Sequence, residues 1–306
     1  MSTEPPESPE RNLQANLLAI MAWLEANGEL PPLSTDDEFI AFSVEIMNRA
    51  LYLLRVGVSL SPDAESAGRG VARNRAIVLG HVVRLMKLFE CFLIHTCDNR
   101  FEICMIFSRL ISETIIRLEY LLMAKRSTFR NFVLISYRPE KEHLTDLKSK
   151  AKQRPLIPIE KRMLGSVTRC LRRDGIGQRA LLQNRSWDLD GKNFRTMLKD
   201  TGAAEWGYSY LFGNGSHFIH GDWRDLSLHH LRRRGRWYEP KPDYKSPDPR
   251  MTCPTTTMCL MVLLKFLRWN RSDPDHFVRP IVERLLALNM ALDDAHELYW
   301  QQRSSR

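Results

Sequence analysis

The chain has 306 residues, 43% of them hydrophobic and 26% charged, the profile of a globular protein able to bury a substantial core. Lys and Arg number 45 against 36 Asp and Glu, a formal charge of +9 that attracts phosphate-bearing or acidic partners through long-range potential. The acidic start Met1-Ser2-Thr3-Glu4-Pro5-Pro6-Glu7 has no basic or apolar part of a secretion signal, and the most apolar stretches are interrupted by Arg84, Lys87 and Glu90 or too short to span a bilayer; a cytoplasmic protein without membrane insertion is expected.

Residues 1–11 read as a disordered tail. Leu13, Leu17, Leu18, Met21 and Leu24 then recur at helical spacing until Asn27-Gly28 stops them. Ser34 or Thr35 is an N-cap candidate, with Asp36, Asp37 and Glu38 in the first turn of a helix carrying Phe39, Phe42, Ile46, Leu51 and Leu54. The stretch from Ser61 to Gly70 is a loop. Two long helices, Val71 to Thr96 and Arg100 to Lys125, form a central hairpin broken at Cys97-Asp98-Asn99. Helices are expected from Phe129 to Ser136, Glu140 to Lys152 and Ile159 to Arg173, then an irregular run from Asp174 to Lys192 and a short helix over Phe194 to Leu198. Glu205 to His220 predicts a helix ending at Gly221, the proline-rich stretch from Glu239 to Pro254 an extended clamp, and helices close the chain over Thr255 to Trp269 and Asp273 to Gln301. No alternating strand pattern stands out. The expectation is an all-α multi-helix bundle with long central antiparallel helices and a Pro-rich loop: a single helical domain over residues 12–303, its core at 39–231 and its C-terminal helices at 255–301. The six cysteines show no paired spacing of the zinc or redox type and read as free thiols, with no metal or cofactor expected.

The chemically loaded segment is Gly213-Asn214-Gly215-Ser216-His217-Phe218-Ile219-His220-Gly221-Asp222. His217 and His220, three apart, share a face of a helix, and with Ser216 and Asp222 they gather hydrogen-bonding groups among Trp206, Tyr210 and Trp223. Two imidazoles can serve as acid and base near neutral pH; alternatively they satisfy one another inside a packed core, or, the reading ranked last, bind a metal with Asp222 or Glu113. On the second central helix, Arg109, Glu113, Arg117 and Tyr120 draw a polar stripe down an otherwise apolar segment, one that packs against the histidine segment as a catalytic group or as a buried structural network. Arg232-Arg233-Arg234-Gly235-Arg236-Trp237-Tyr238 sets four arginines beside two aromatics, a combination that grips phosphates and stacks bases, or simply faces solvent.

Arg109-x3-Glu113 to Tyr120-Leu121, Phe129-x2-Phe132 with Ser136, and Tyr208-x7-Ser216-His217-x2-His220-Gly221-x-Trp223 together resemble the bacterial family called domain of unknown function 5677, over roughly Phe39 to Leu231. The resemblance implies a helical fold and marks Arg109, Glu113, Ser216, His217, His220 and Gly221, without implying a reaction. Arg224-Asp225-x3-His229 is similar to the mark of the HEPN ribonucleases, small helical bundles that act as dimers; Arg75 to His81, Arg138 to His143 and Arg271 to His276 repeat that spacing more loosely. These readings converge on an RNA-directed, HEPN-like effector of bacterial stress or phage defence. In it His217, His220, Arg109 and Glu113 carry catalysis without a metal, Ser216, Asp222, Tyr120, Arg232, Arg233, Arg234 and Arg236 bind RNA or another phosphate-bearing ligand, and a homodimer is implied. The alternative is a non-enzymatic regulatory module that binds nucleic acid or protein around a structural polar core.

Overall fold

A computed structural model describes residues 9–60, 70–202, 215–271 and 277–304. Helix α1 (Pro9–Ala26) starts inside the expected tail, with Pro9 at the first helical position, where its missing N–H costs nothing. Thr35 caps α2 (Asp36–Ser59): its hydroxyl accepts from the Glu38 amide at 3.2 Å while the Glu38 carboxylate takes the Thr35 amide at 3.1 Å, satisfying two otherwise orphaned donors. Next come α3 (Arg73–Cys97) and α4 (Phe101–Leu122), the expected hairpin, with Asn99 at φ 56° turning the chain between them. Of the loop expected from Ser61 to Gly70, residues 61–69 lie outside the described residues.

The middle of the chain is a series of shorter helices: α5 (Arg126–Ile135), α6 (Arg138–Gln153), α7 (Pro158–Arg173), α8 (Gln178–Gln183) and α9 (Phe194–Asp200). The run expected to be irregular therefore holds one helix, α8, whose Leu181 is buried with Leu144 and Leu171 in a small cluster covered by Tyr137 and Trp187. Residues 203–214, where Trp206, Tyr208 and Tyr210 fall, lie outside the described residues. The chain resumes with α10 (Gly215–His220) and α11 (Trp223–Asp225), the latter running into a π-helical turn at Leu226–His230.

Two further elements depart from the sequence reading. The arginine run forms a two-stranded antiparallel ribbon, β1 (Leu231–Arg234) and β2 (Trp237–Pro240), with Arg232 opposite Glu239, Arg234 opposite Trp237, and Gly235 at φ 60° in the turn. Both faces of this ribbon meet solvent, so it carries no alternation of polar and apolar residues to read. The proline-rich clamp ends at Asp248, which accepts the Arg250 amide at 3.0 Å and so caps α12 (Pro249–Asn270) six residues earlier than expected, with Pro254 inside it. Helix α13 (Val278–Ser304) ends the described chain.

The fold is all-α apart from that ribbon. Helix α4 packs between α3 and α12, while α2 and α13 close the other sides. Phe39, Phe89, Phe92, Ile111, Leu118 and Phe266 are fully buried in the shared core. No helix among the described residues is long and apolar enough to cross a membrane, and all six cysteines are free thiols.

The core also encloses histidines. His296 is fully buried, edge-on to Phe39 at 5.0 Å, and neither ring nitrogen has a hydrogen-bond partner among the described residues. Burial holds its pKa below the ordinary value, and does the same to His81, whose Nδ1 lies 2.8 Å from the Ile77 carbonyl. A histidine with a lowered folded-state pKa is proton-poor in the native state, so its contribution is intact above pH 6.5 and is lost as pH falls through that value toward the folded pKa. Each such site contributes a slope of up to about 1.4 kcal/mol per pH unit. The melting temperature should therefore drop between pH 7.5 and pH 5.5, and His296→Phe should flatten that dependence; equal melts at both pH values would show that these rings titrate alike in folded and unfolded chains.

Candidate functional site

Phe101, Met105 and Arg109 stand four residues apart and share one face of α4. Helix α10 lies on that face through Gly215: a Cβ there would meet the Arg109 Cβ at 2.8 Å and its Cδ at 3.0 Å, so glycine is what allows the approach. Phe218 fixes the other end, edge-on to Phe101 at 5.8 Å. Beneath Gly215, Arg109 pairs with Glu113 at 2.8 Å, the two side chains only 13% and 28% exposed.

The rest of the stripe serves another neighbourhood. Arg117 lies 5.0 Å from the Phe194 ring, and Tyr120 donates to Asp190 at 3.1 Å, an acceptor it shares with Thr128. Tyr120 thus anchors the connection after α8 rather than the histidine segment.

Gly221, at φ 57°, ends α10, and Asp222 begins α11 by accepting the amides of Arg224 and Asp225 at 3.0 and 3.1 Å. The other oxygen of Asp222 takes His217 Nδ1. This bond, with the two amides, holds the Asp222 carboxyl below the usual carboxylate range. With Nδ1 engaged, Nε2 is the His217 nitrogen left for a ligand. His220 is exposed at the last position of the short helix, and Ser216 is half-buried.

A cavity of about 470 Å³ opens beside this segment. Phe101 and Met105 of α4 floor it, His217 and Phe218 wall it, and Arg224, Asp225 and His229 face them; Lys245, Asp248 and Arg250 come from the clamp and the start of α12. His229 rides on the π-helical turn, its Nδ1 3.6 Å from Glu102 Oε1 and its ring 4.9 Å from Phe218. Burial pushes its imidazole below the ordinary histidine value, with Glu102 and Asp225 opposing in part. Glu102 and Asp225 are each only 4% exposed. Glu102 accepts the Lys245 amide at 3.3 Å; Asp225 Oδ2 lies 3.3 Å from His230 Nε2, whereas its Oδ1 is buried without a hydrogen-bond partner among the described residues. Lys245 Nζ sits 4.7 Å from the Phe101 ring.

The geometry thus joins His217 and Asp222 to His229, Arg224 and Asp225, and leaves His220 and Tyr120 out of the cavity wall. Arg109 and Glu113 lie one turn deeper, under Gly215. Lys245 and Arg250 lie outside the 213–222 segment and its neighbours, whereas the Arg224-Asp225-x3-His229 spacing already pointed to three of the cavity groups. On the ribbon, Arg232 and Arg234 both reach Glu239, at 3.6 and 2.7 Å, Arg233 donates to the Gly235 carbonyl, and Arg236 lies over Trp237. Trp237 and Tyr238 are exposed, with Trp223 edge-on to Tyr238 at 5.3 Å.

Comparison with known families matches the model of a family of unknown function, DUF5677, over residues 75–236, more than half of the chain and inclusive of the whole histidine segment. The match begins well after Phe39, where the sequence resemblance was placed, and extends past Leu231 into the ribbon turn. No curated protein and no solved structure matches the chain.

Proposed function

The chain belongs to the DUF5677 family of unknown function, and from the cavity chemistry we propose that it is an RNA-directed effector that cleaves the phosphodiester backbone using two imidazoles. The observation that carries this reading is that His217 and His229 line one cavity with Arg224, Lys245 and Arg250. Burial favours neutral His229 at pH 7, the form needed to take the proton from a 2′-hydroxyl. The 2′-oxygen then attacks phosphorus, the bond from phosphorus to the 5′-oxygen breaks, and His217, supported by Asp222, returns a proton to that leaving oxygen. Arg224 and Lys245 balance the charge that grows on phosphate. The nucleophile belongs to the substrate and the proton carriers to the protein, so the reaction draws on no metal-bound water. Such an activity fits a cytoplasmic effector of stress or phage defence.

Single-stranded RNA incubated with the protein in excess chelator should give fragments ending in 2′,3′-cyclic phosphate and 5′-hydroxyl. Intact RNA would overturn the proposal. The ribbon favours a second reading, RNA binding without cleavage, since it places exposed Trp237 and Tyr238 beside four arginines. That reading gains if intact RNA is bound and if replacing Arg232, Arg233, Arg234 and Arg236 with Gln both weakens binding and lowers its salt dependence.

A further inference from the structure

A second cavity, about 920 Å³, lies where α3 and α5 begin and α12 ends, and arginines dominate its wall: Arg73, Arg75, Arg126, Arg130 and Arg271. No carboxylate among the described residues lines it. Arg73 donates to the Asp174 carbonyl at 2.8 Å and also feels the Asp174 carboxylate, which Arg173 and Tyr137 hold. Arg126, Arg130 and Arg271 form no ion pair among the described residues. Arg126 and Arg130 stand four apart on α5, a like-charge spacing that weakens a helix unless an anion lies between them.

The backbone adds to this positive field. Neither α3 nor α5 has a side-chain cap, at Ala72 and Lys125 respectively, so their first-turn amides carry the positive ends of both helix dipoles. The negative end of α12 is blunted because Arg75 donates to the Asn270 carbonyl at 3.2 Å as well as to its side chain at 2.7 Å. Arg271 occupies the left-handed C-cap of α12 at φ 52°, a conformation where glycine is normally favoured, and so keeps a charged side chain at the cavity at some backbone strain. Trp269, half-buried and stacked on Phe266, supplies a fixed aromatic surface in the same wall.

We propose that this cavity binds a nucleoside polyphosphate, with its phosphates held by Arg73, Arg126, Arg130 and Arg271 and its base against Trp269. Its volume lies in the range of small-molecule sites, guanidinium groups pair with phosphate oxygens two at a time, and an indole stacks on a purine. The 470 Å³ cavity sits at the other end of α4, about 30 Å away by the rise of its 22 residues. The two sites are therefore separable by substitution, and this one stands whether or not the protein cleaves RNA.

Calorimetric titration of the full chain with ATP, inorganic tripolyphosphate and adenosine tests the assignment. ATP should bind more tightly than tripolyphosphate, and adenosine should show no measurable binding. Arg126→Gln with Arg130→Gln should weaken ATP binding by about tenfold or more, and Trp269→Ala should erase the preference for ATP over tripolyphosphate. Arg271→Gly guards against a folding artefact: it relieves the left-handed strain, so the melting temperature should hold or rise while affinity falls. Absence of ATP binding, or affinity unchanged in the double arginine variant, would overturn the site. Equal affinity for ATP and tripolyphosphate would overturn the nucleoside assignment, as would an oligoribonucleotide that displaces ATP and binds more tightly than it.

Discussion

Replacing His217 with Ala and His229 with Gln together is expected to abolish RNA cleavage while the melting temperature stays within a few degrees of the parent. General acid and general base catalysis each contribute about 10²–10⁴-fold, and groups that act as a unit lose nearly as much singly as together. Both single variants should thus fall close to the double. Folding should survive because His217 is about one-third exposed and Gln at 229 keeps a polar group against the buried Glu102. His220→Ala separates this cavity from the alternative built on the His217/His220 pair: His220 is exposed and outside the wall, so its loss should change the rate by no more than a few-fold. The pH profile gives an independent readout. Because burial lowers the His229 pKa, the rate should rise with pH through an inflection below the ordinary histidine value and be flat above it until the acid is lost. A double variant that cleaves at the parental rate would sink the mechanism outright.

Much of this arrangement was legible in the residues, and the reasons for the rest are local. The spacing of Ile111, Ile115, Leu118 and Leu121 announced α4 as central, and Arg109 and Glu113, four apart, do pair. Periodicity reports which face of a helix is buried but not which distant segment covers it. Tyr120 falls on the same stripe, yet its partner Asp190 comes from a connection 70 residues later. The histidine spacing of three suggested a shared face, but α10 is only six residues long and ends at Gly221, so His220 lies at the frayed end while Asp222 turns back to hold His217. His229 reaches the cavity from a π-helical turn, whose extra residue per turn breaks the 3.6 period on which a sequence reading relies. The ribbon hid for a comparable reason, since a two-stranded element wetted on both faces leaves Gly235 as its main signal. Asp248-Pro249 did carry a helix start, an N-cap followed by proline, but the prolines around it read more strongly as a loop.

Gly215→Ala should couple the fold to the site. Alanine in place of glycine ordinarily stabilises a helical position by about 0.4–1 kcal/mol through the unfolded chain. Here the new methyl would lie 2.8 Å from the Arg109 Cβ, an atom fixed to the backbone of the central helix, so no side-chain rotation can relieve the contact. Overpacking of this kind costs about 1–3 kcal/mol, which outweighs the gain and should lower the melting temperature by a few degrees for a chain of this size. The larger consequence is positional. Helix α10 is held to α4 at two points, Gly215 on Arg109 and Phe218 on Phe101, and lifting the first tilts His217, two residues on, away from Arg224 and His229. Cleavage should then fall by more than the loss of folded protein explains, on the order of 10²-fold for a shift near 1 Å, with Gly215→Val worse on both counts. Gly221→Ala is the control. That residue has open space around it but a φ of 57°, so alanine there should cost about 1 kcal/mol of strain without pushing α10 off α4. If Gly215→Ala proved as stable and as active as the parent, the close seating of the histidine segment on Arg109 would be refuted, and with it the account of how His217 is brought to the cavity.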